Sequence, residues 1–325
     1  MSTYELIKSA YARVSPHARR TPLLSSPFLD DIAGRRVWVK AECLQHTGSF
    51  KFRGGWAAIS ALSDAQRARG VITFSSGNHA QGIANAAAKH GVSAIIIMPS
   101  DAPAVKIANT RAMGAEVVMY DRASEDRDEV EKRVNPDGAR ILIRPYDDDQ
   151  VIAGQGSVGI ELAEQAKDMG VKSASVLVCA GGGGLASGIS LSLEALSPDM
   201  QVRTVEPENF DDFKRSLISG KIEKNAQTSG SLCDAILTLC PGDKTFPILK
   251  RLAGAGIAVS EEEALRAMVL AFERLRIVVE PGGAVALAAA LFHGNEIEHD
   301  DVIVVATGGN VDAEVFNRAL AQYGS

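Results

Sequence analysis

Short, continuously apolar runs recur along this chain, each giving way to a glycine-bearing or polar turn and then to an alanine-rich stretch of helical character. VITF (71–74) leads through SSGN into HAQGIANAAAKHG, AIIIM (94–98) into PAVKIANTRAMG, and EVVMY (116–120) into SEDRDEVEKRV. RILI (140–143) precedes VIAGQGSVGIELAEQAKDMG and SVLVCA (175–180) precedes GGGGLASGISLSLEAL; VRTVE and VIVVA repeat the rule. Strands with no alternating polar face are buried on both sides, which calls for helices above and below. The pattern therefore predicts an α/β fold on mostly parallel sheets. At 325 residues the chain is long enough for two lobes. The acidic stretch YDDDQ (146–150) is the expected crossing between them. Ser260 and Glu263 have the spacing of a capping box ahead of the helix EEALRAMVLAFERL.

Lys and Arg number 34 and Asp and Glu 40, a net charge of −6, and no basic stripe occurs. This argues against nucleic acid as the main partner. Cys43, Cys179, Cys233 and Cys240 are scattered without ligand spacing, as expected of reduced thiols in a cytoplasmic protein. The opening MSTYELIKSAYARV lacks the apolar core of a signal peptide, and no apolar run reaches membrane-spanning length, so no membrane partner is expected.

Ligands of open parallel sheets sit beyond the carboxyl ends of the strands, which directs attention to the turns SSGN, GGGG, EPENFDD and TGGN. Gly181, Gly182, Gly183 and Gly184 lie between a strand and a helix, where bare backbone amides and the helix dipole suit a phosphate. The same stretch supports a rival. Gly181, Gly183 and Ala186 fit the G-x-G-x-x-G/A dinucleotide fingerprint, and Glu206, at the end of the next strand, stands near the place of a ribose-binding acid. Against an oxidoreductase, several α/β units precede this turn, whereas a dinucleotide fingerprint usually opens its domain.

Ser75, Ser76, Asn78 and His79 offer hydroxyl, amide and imidazole groups at a helix start, for an anion or a phenolic oxygen, or simply as a cap. Thr307 could meet a ring nitrogen or cap a helix. Lys51 stands between Phe50 and Phe52, whose rings would lower the local dielectric and favour the neutral, nucleophilic amine. A reactive lysine, a phosphate cradle and a hydroxyl for a ring nitrogen together meet the requirements of pyridoxal phosphate.

"RRTPLLSS", "GSFKFRGG", "SSGNHAQG", "PYDDDQVIAGQGSVGIEL", "CAGGGGLASGIS", "VEPENFDD", "EPGGAVALAA" and "ATGGN" run through nearly the whole chain. With them the sequence resembles the fold-type II pyridoxal-phosphate enzymes, which are tryptophan synthase β-like. Within these it resembles the serine/threonine dehydratase (ammonia-lyase) and serine racemase group. The resemblance implies that Lys51 carries the cofactor through a Schiff base, with Phe50 against the ring and Asn78 on the phenolic oxygen. It implies the amides of Gly181, Gly182, Gly183, Gly184 and Leu185 on the phosphate and Thr307 at the pyridine nitrogen. Ser75, Ser76, Asn78 and His79 would collect the substrate carboxylate, and Ser76 would be a second catalytic group able to return a proton, as in racemases.

It also implies a divalent cation, Mg²⁺ or Ca²⁺, on Glu206, the carbonyl of Phe210, and Asp212. The alternative for these residues is a strand-end ion pair with Asp212 capping a helix. Arg144 departs from the family pattern; if it faces the pocket, it would favour a substrate with a second carboxylate, such as 3-hydroxyaspartate. Residues 1–45 and 148–325 are expected to form the large cofactor-binding domain and residues 46–147 the small one, in a homodimer. The expected activity is conversion of a β-hydroxy amino acid to a keto acid and ammonia, with racemisation or hydroxyaspartate dehydration as alternatives in the same family.

Overall fold

The computed structural model describes residues 2–121 and 124–324. Ten strands occur among them: β1 (Leu23–Ser25), β2 (Arg36–Lys40), β3 (Val71–Phe74), β4 (Ala94–Pro99), β5 (Glu116–Tyr120), β6 (Ile141–Leu142), β7 (Ala174–Cys179), β8 (Met200–Pro207), β9 (Ile257–Val259) and β10 (Asp301–Val305). They form two sheets, one of six strands in the order β1-β2-β10-β7-β8-β9 and one of four in the order β5-β4-β3-β6. Every pairing is parallel except β1 with β2. Every residue of β3, β4, β7 and β10 is buried, as expected of strands covered on both faces.

The apolar runs identified in the sequence all lie on strands, with boundaries shifted by a residue or two. RILI contributes only Ile141 and Leu142 to the ladder. Beyond them the Thr73 hydroxyl donates to the Ile143 carbonyl at 2.6 Å, and Pro145, with no N–H, follows. Three strands fall outside those runs: β1 and β9, each three residues long, and β2, which includes both Trp38 and a lysine. Lys40 is tolerated there, fully buried, because its ammonium donates to Glu161 Oε2 at 2.6 Å and to the Thr21 carbonyl at 2.8 Å. The capping box forms as expected, Ser260 Oγ accepting from Glu263 N at 3.2 Å and Glu263 Oε2 accepting from Ser260 N at 2.8 Å.

The Lys40–Glu161 pair belongs to a larger buried group that joins three elements. The Arg53 guanidinium donates to both oxygens of Glu42, at 2.8 Å each, and to Glu161 Oε1 at 2.7 Å. Two cations balance two carboxylates, and burial is tolerable because each charge is both paired and hydrogen-bonded. This group ties the end of β2 and the turn after it to the helices Lys51–Ser60 and Asp149–Asp168. Helix Asp149–Asp168 starts where the chain leaves the four-stranded sheet, with Asp148 Oδ1 accepting from Gln150 N and Val151 N at 2.8 and 3.0 Å. No helix among the described residues is long and apolar enough to cross a membrane.

Candidate active site

A cavity of about 590 Å³ opens beyond the carboxyl ends of β3, β7 and β10. Its floor is set by backbone pairing. Ser49 bridges Gly308, Phe50 N donates to the Thr307 carbonyl at 3.1 Å, and Gly309 N donates to the Gly48 carbonyl at 2.9 Å. Lys51 is therefore fixed beside Thr307 as the first residue of the helix Lys51–Ser60, with Phe50 as its N-cap. Lys51 Nζ donates to the Pro145 carbonyl at 2.8 Å and lies 5.2 Å from the centroid of the Phe50 ring. Burial pushes its pKa down to about 8.

Phe52 does not share in this. About 100° per residue separates successive helical positions, so Phe52 turns away into the core, its ring 5.5 Å from that of Trp56. The apolar environment of the amine comes from Phe50 and burial, a correction to the two-ring reading of the sequence.

Ser75, Ser76, Asn78 and His79 line the opposite wall. Ser75 Oγ accepts from Gly77 N at 3.1 Å, which shapes the turn. Asn78 is held at both ends: its Nδ2 donates to Glu280 Oε1, and its Oδ1 accepts from Asn310 Nδ2 at 2.8 Å. Burial, together with the nearby Lys51 ammonium, holds the His79 imidazole well below its ordinary pKa, so it is neutral. Gly181, Gly182, Gly183, Gly184 and Leu185 form the third wall, at the start of the helix Gly184–Leu196. Two of these positions admit nothing larger than glycine. A β-carbon on Gly182 would lie 2.1 Å from the Tyr146 ring, and Gly183 combines φ +83° with a point only 2.3 Å from Phe213 Cζ. The first amides of that helix have no intrahelical acceptors and face an anion-sized space.

The Thr307 hydroxyl lies 3.2 Å from Cys179 Sγ, whose thiol burial pushes up to about 11, so both groups are neutral. Arg144 is exposed and is not part of the cavity lining; it sits next to the buried Ile143, on the outward side of the crossing segment. The structure does not bring Arg144 to the site.

Gln155, Lys106, Asp234 and Glu280 also line the cavity, although the sequence assigned none of them a role in the site. Lys106 reads as an ordinary surface-helix lysine, yet its side chain is 4 % exposed and its Nζ reaches Asp234 Oδ2 at 3.1 Å and Glu280 Oε2 at 3.5 Å. Burial opposes its charge, but the two carboxylates outweigh this and raise its pKa. Burial raises the pKa of Glu280, against the pull of Lys106. Glu280 precedes a proline at the first position of the helix Pro281–Phe292 and opens the motif EPGGAVALAA, and these are the sequence signals that point to it.

Residues 14–308 match the family described as pyridoxal-phosphate dependent enzyme. The chain belongs to that family. It is 41% identical over 320 residues to an L-threo-3-hydroxyaspartate ammonia-lyase from Pseudomonas sp., covering 98% of this chain and 99% of that protein. A serine racemase from Schizosaccharomyces pombe is 38% identical over 322 residues, covering 99% and 98%. Among solved structures, a threonine deaminase from T.th. superposes with a TM-score of 0.89 at 44% identity, covering 95% of this chain and 99% of that one. Family membership makes pyridoxal phosphate the cofactor and removes the dinucleotide reading of the glycine turn. The geometry agrees: Glu206 does not line the cavity, and both its oxygens accept from backbone amides, of Phe213 and Lys214, at 2.8 Å each.

Those bonds also revise the alternative offered for the acidic turn. Glu206, not Asp212, caps the helix Asp212–Ser219, whose N-cap residue is Asp211. Asp212 is 1% exposed; its Oδ1 accepts from Asn225 Nδ2, while its Oδ2 has no hydrogen-bond partner. Burial and the neighbouring Asp212 hold Glu206 well above the usual carboxylate range, and burial pushes Asp212 up to about 7. No cluster of three or more His, Cys, Asp or Glu able to hold a metal occurs among the described residues.

Proposed function

We propose that this chain is a pyridoxal-phosphate-dependent ammonia-lyase that converts a β-hydroxy amino acid of the serine/threonine type to a keto acid and ammonia. The observation that carries this reading is the placement of Lys51, its pKa lowered to about 8, in one cavity with the glycine turn and the Ser75–His79 segment. Pyridoxal phosphate, when bound, supplies an electron sink that makes the substrate Cα proton removable.

The chain's own residues supply the rest. Lys51 would hold the cofactor through its amine and would be the base for the substrate Cα proton. The amides of Gly181, Gly182, Gly183, Gly184 and Leu185 would hold the phosphate, Phe50 would lie against the ring, and Asn78 would meet the phenolic oxygen. Ser75, Ser76, Asn78 and neutral His79 orient the substrate carboxylate by hydrogen bonding without adding positive charge beside Lys51. Thr307 offers the ring nitrogen a neutral hydroxyl, which keeps that end of the cavity uncharged and favours prompt loss of the β-hydroxyl. Ser76, a second hydroxyl within the site, supports racemisation as a second reading. With Arg144 outside, Lys106 is the cation other than Lys51 that lines the cavity among the described residues, so a substrate β-carboxylate would have to compete with Asp234 and Glu280 for it.

We further infer a Mg²⁺ or Ca²⁺ site on Glu206, the Phe210 carbonyl and Asp212. A hard cation would satisfy Asp212 Oδ2 and relieve the two facing carboxyls. Residues 46–147 are assigned to a small domain and residues 1–45 with 148–325 to a large one, in a homodimer; the exposed Phe28 and Ile32 on one helix offer apolar surface for such contact. Cys43, Cys179, Cys233 and Cys240 form no disulfide among the described residues, which fits a cytoplasmic setting. A keto-acid assay across L- and D-serine, threonine, hydroxyaspartate and phenylserine, with and without chelator, tests the activity. Keto acid from a β-hydroxy amino acid is expected; its absence with all of them overturns the reading.

A further inference from the structure

Gln155 lies on the helix Asp149–Asp168, is 0% exposed, and has no hydrogen-bond partner at either Oε1 or Nε2. A buried amide with both ends unpaired forfeits the water it had in the unfolded chain and recovers nothing. Such a group is kept where something outside the polypeptide completes it. Its surroundings say where that partner sits. Oε1 is 2.7 Å from the point a β-carbon on Gly184 would occupy, and Nε2 is 3.1 Å from the corresponding point on Gly54. Gly184 opens the helix Gly184–Leu196 and Gly54 follows Lys51 by one helical turn. The side chain thus stands between the two helix starts that converge on the cavity, and it is part of the cavity lining.

A half-turn about the terminal torsion exchanges the two ends of a glutamine amide, so the N–H₂ group can face the Gly184 side at no cost to packing. The helix start there favours negative charge, and a neutral amide donor adds to it without repelling Lys51.

We propose that the Gln155 amide donates a hydrogen bond to the phosphate of the bound cofactor, completing from a separate helix the cradle that the glycine turn begins. The assignment rests on pyridoxal phosphate being the group held in this cavity. Binding of pyridoxal phosphate and of pyridoxal, which lacks the phosphate, to cofactor-free protein separates this role from mere packing. Gln155→Met keeps the volume and removes the donor; its affinity for pyridoxal phosphate is expected to fall by about tenfold to a hundredfold, the loss of one hydrogen bond to a charged group. Gln155→Glu sets a carboxylate against the phosphate and should fall further. Affinity for pyridoxal should stay at the wild-type value in both, and the ³¹P resonance of the bound phosphate should move.

In wild-type protein labelled at glutamine, the Gln155 side-chain ¹⁵N resonance should shift with pyridoxal phosphate and not with pyridoxal, a readout that does not depend on either variant folding. Unchanged phosphate affinity and ³¹P shift, or equal losses with both aldehydes, would overturn the contact while leaving the cofactor in place. Wild-type protein that takes up neither aldehyde would overturn the cofactor assignment and this contact with it.

Discussion

A lysine attacks an aldehyde only as the free amine, so the pKa of Lys51 sets how fast cofactor-free protein can be loaded. At pH 7 a group of pKa about 8 is neutral in roughly one molecule in ten, against roughly one in a few thousand for an ordinary lysine. The initial rate of pyridoxal phosphate uptake should therefore rise with pH and level off above about 8. A rate that climbs through about 10 would mean that the side chain is as solvated as any surface lysine. Lys51→Ala should form no hydride-trapped adduct and no keto acid. Ser76 tests the second proton carrier: Ser76→Ala should depress turnover of one serine enantiomer more than the other, and equal losses would remove it from that role. The lysine itself was legible because a cation set in an aromatic context is out of keeping with a solvated helix face. The source of its environment was misread, because adjacency in sequence is not adjacency on a helix, and Phe52 belongs to the core.

The helix that begins with Lys51 is anchored two residues further in, where Arg53 meets Glu42 and Glu161. Removing one partner of a buried pair leaves the other charge uncompensated at a cost of about 3–5 kcal/mol. Glu161→Ala should lower unfolding free energy by about that amount, measured by urea denaturation. It leaves Lys40 without its paired carboxylate and Arg53 with Glu42 alone, so it should cost more than removing the exposed Glu164 that pairs with Arg20.

The acidic turn makes a different prediction. A carboxyl whose pKa is raised in the folded state destabilises that state once the pH passes its unfolded value of about 4, and the penalty is complete above the folded value. For Asp212 that value is about 7, so at pH 8 the ion-free protein carries the full penalty, and Mg²⁺ or Ca²⁺ should raise Tm there more than at pH 5. Asp212→Asn should abolish the cation's effect, and an unchanged Tm on chelation of wild-type protein would sink the site. Neither element was fully readable beforehand. Composition shows that charges exist but not that they are buried, and only the fold reveals that Glu206 spends both oxygens on the helix Asp212–Ser219.

At the level of the whole molecule, the alternation of apolar runs and helices carried the fold class, because strands covered on both faces leave no other architecture. The division into two sheets was not legible in that pattern, since each βα unit looks alike whichever sheet it joins. What joins the sheets was less legible still. Lys106 follows β4 of the four-stranded sheet, and its ammonium reaches Asp234 and Glu280, which lie in the part of the chain that builds the six-stranded sheet. Its stem also crosses the turn after β3, 2.4 Å from where a β-carbon on Gly77 would stand, so it presses on the segment assigned to the substrate carboxylate. One side chain thus links the turn after β3 to Asp234 and Glu280 across the cavity. If residues 46–147 move as a small domain that shuts over the substrate, this link favours the shut form. Lys106→Met should then raise KM by about tenfold, from the loss of an ionic hydrogen bond, with a smaller change in kcat and with cofactor affinity unaltered. Hydrogen exchange in the helix Ala104–Ala112 should quicken in the same variant. A variant that keeps wild-type KM and exchange would show that the two halves of the molecule are held by their packed core alone.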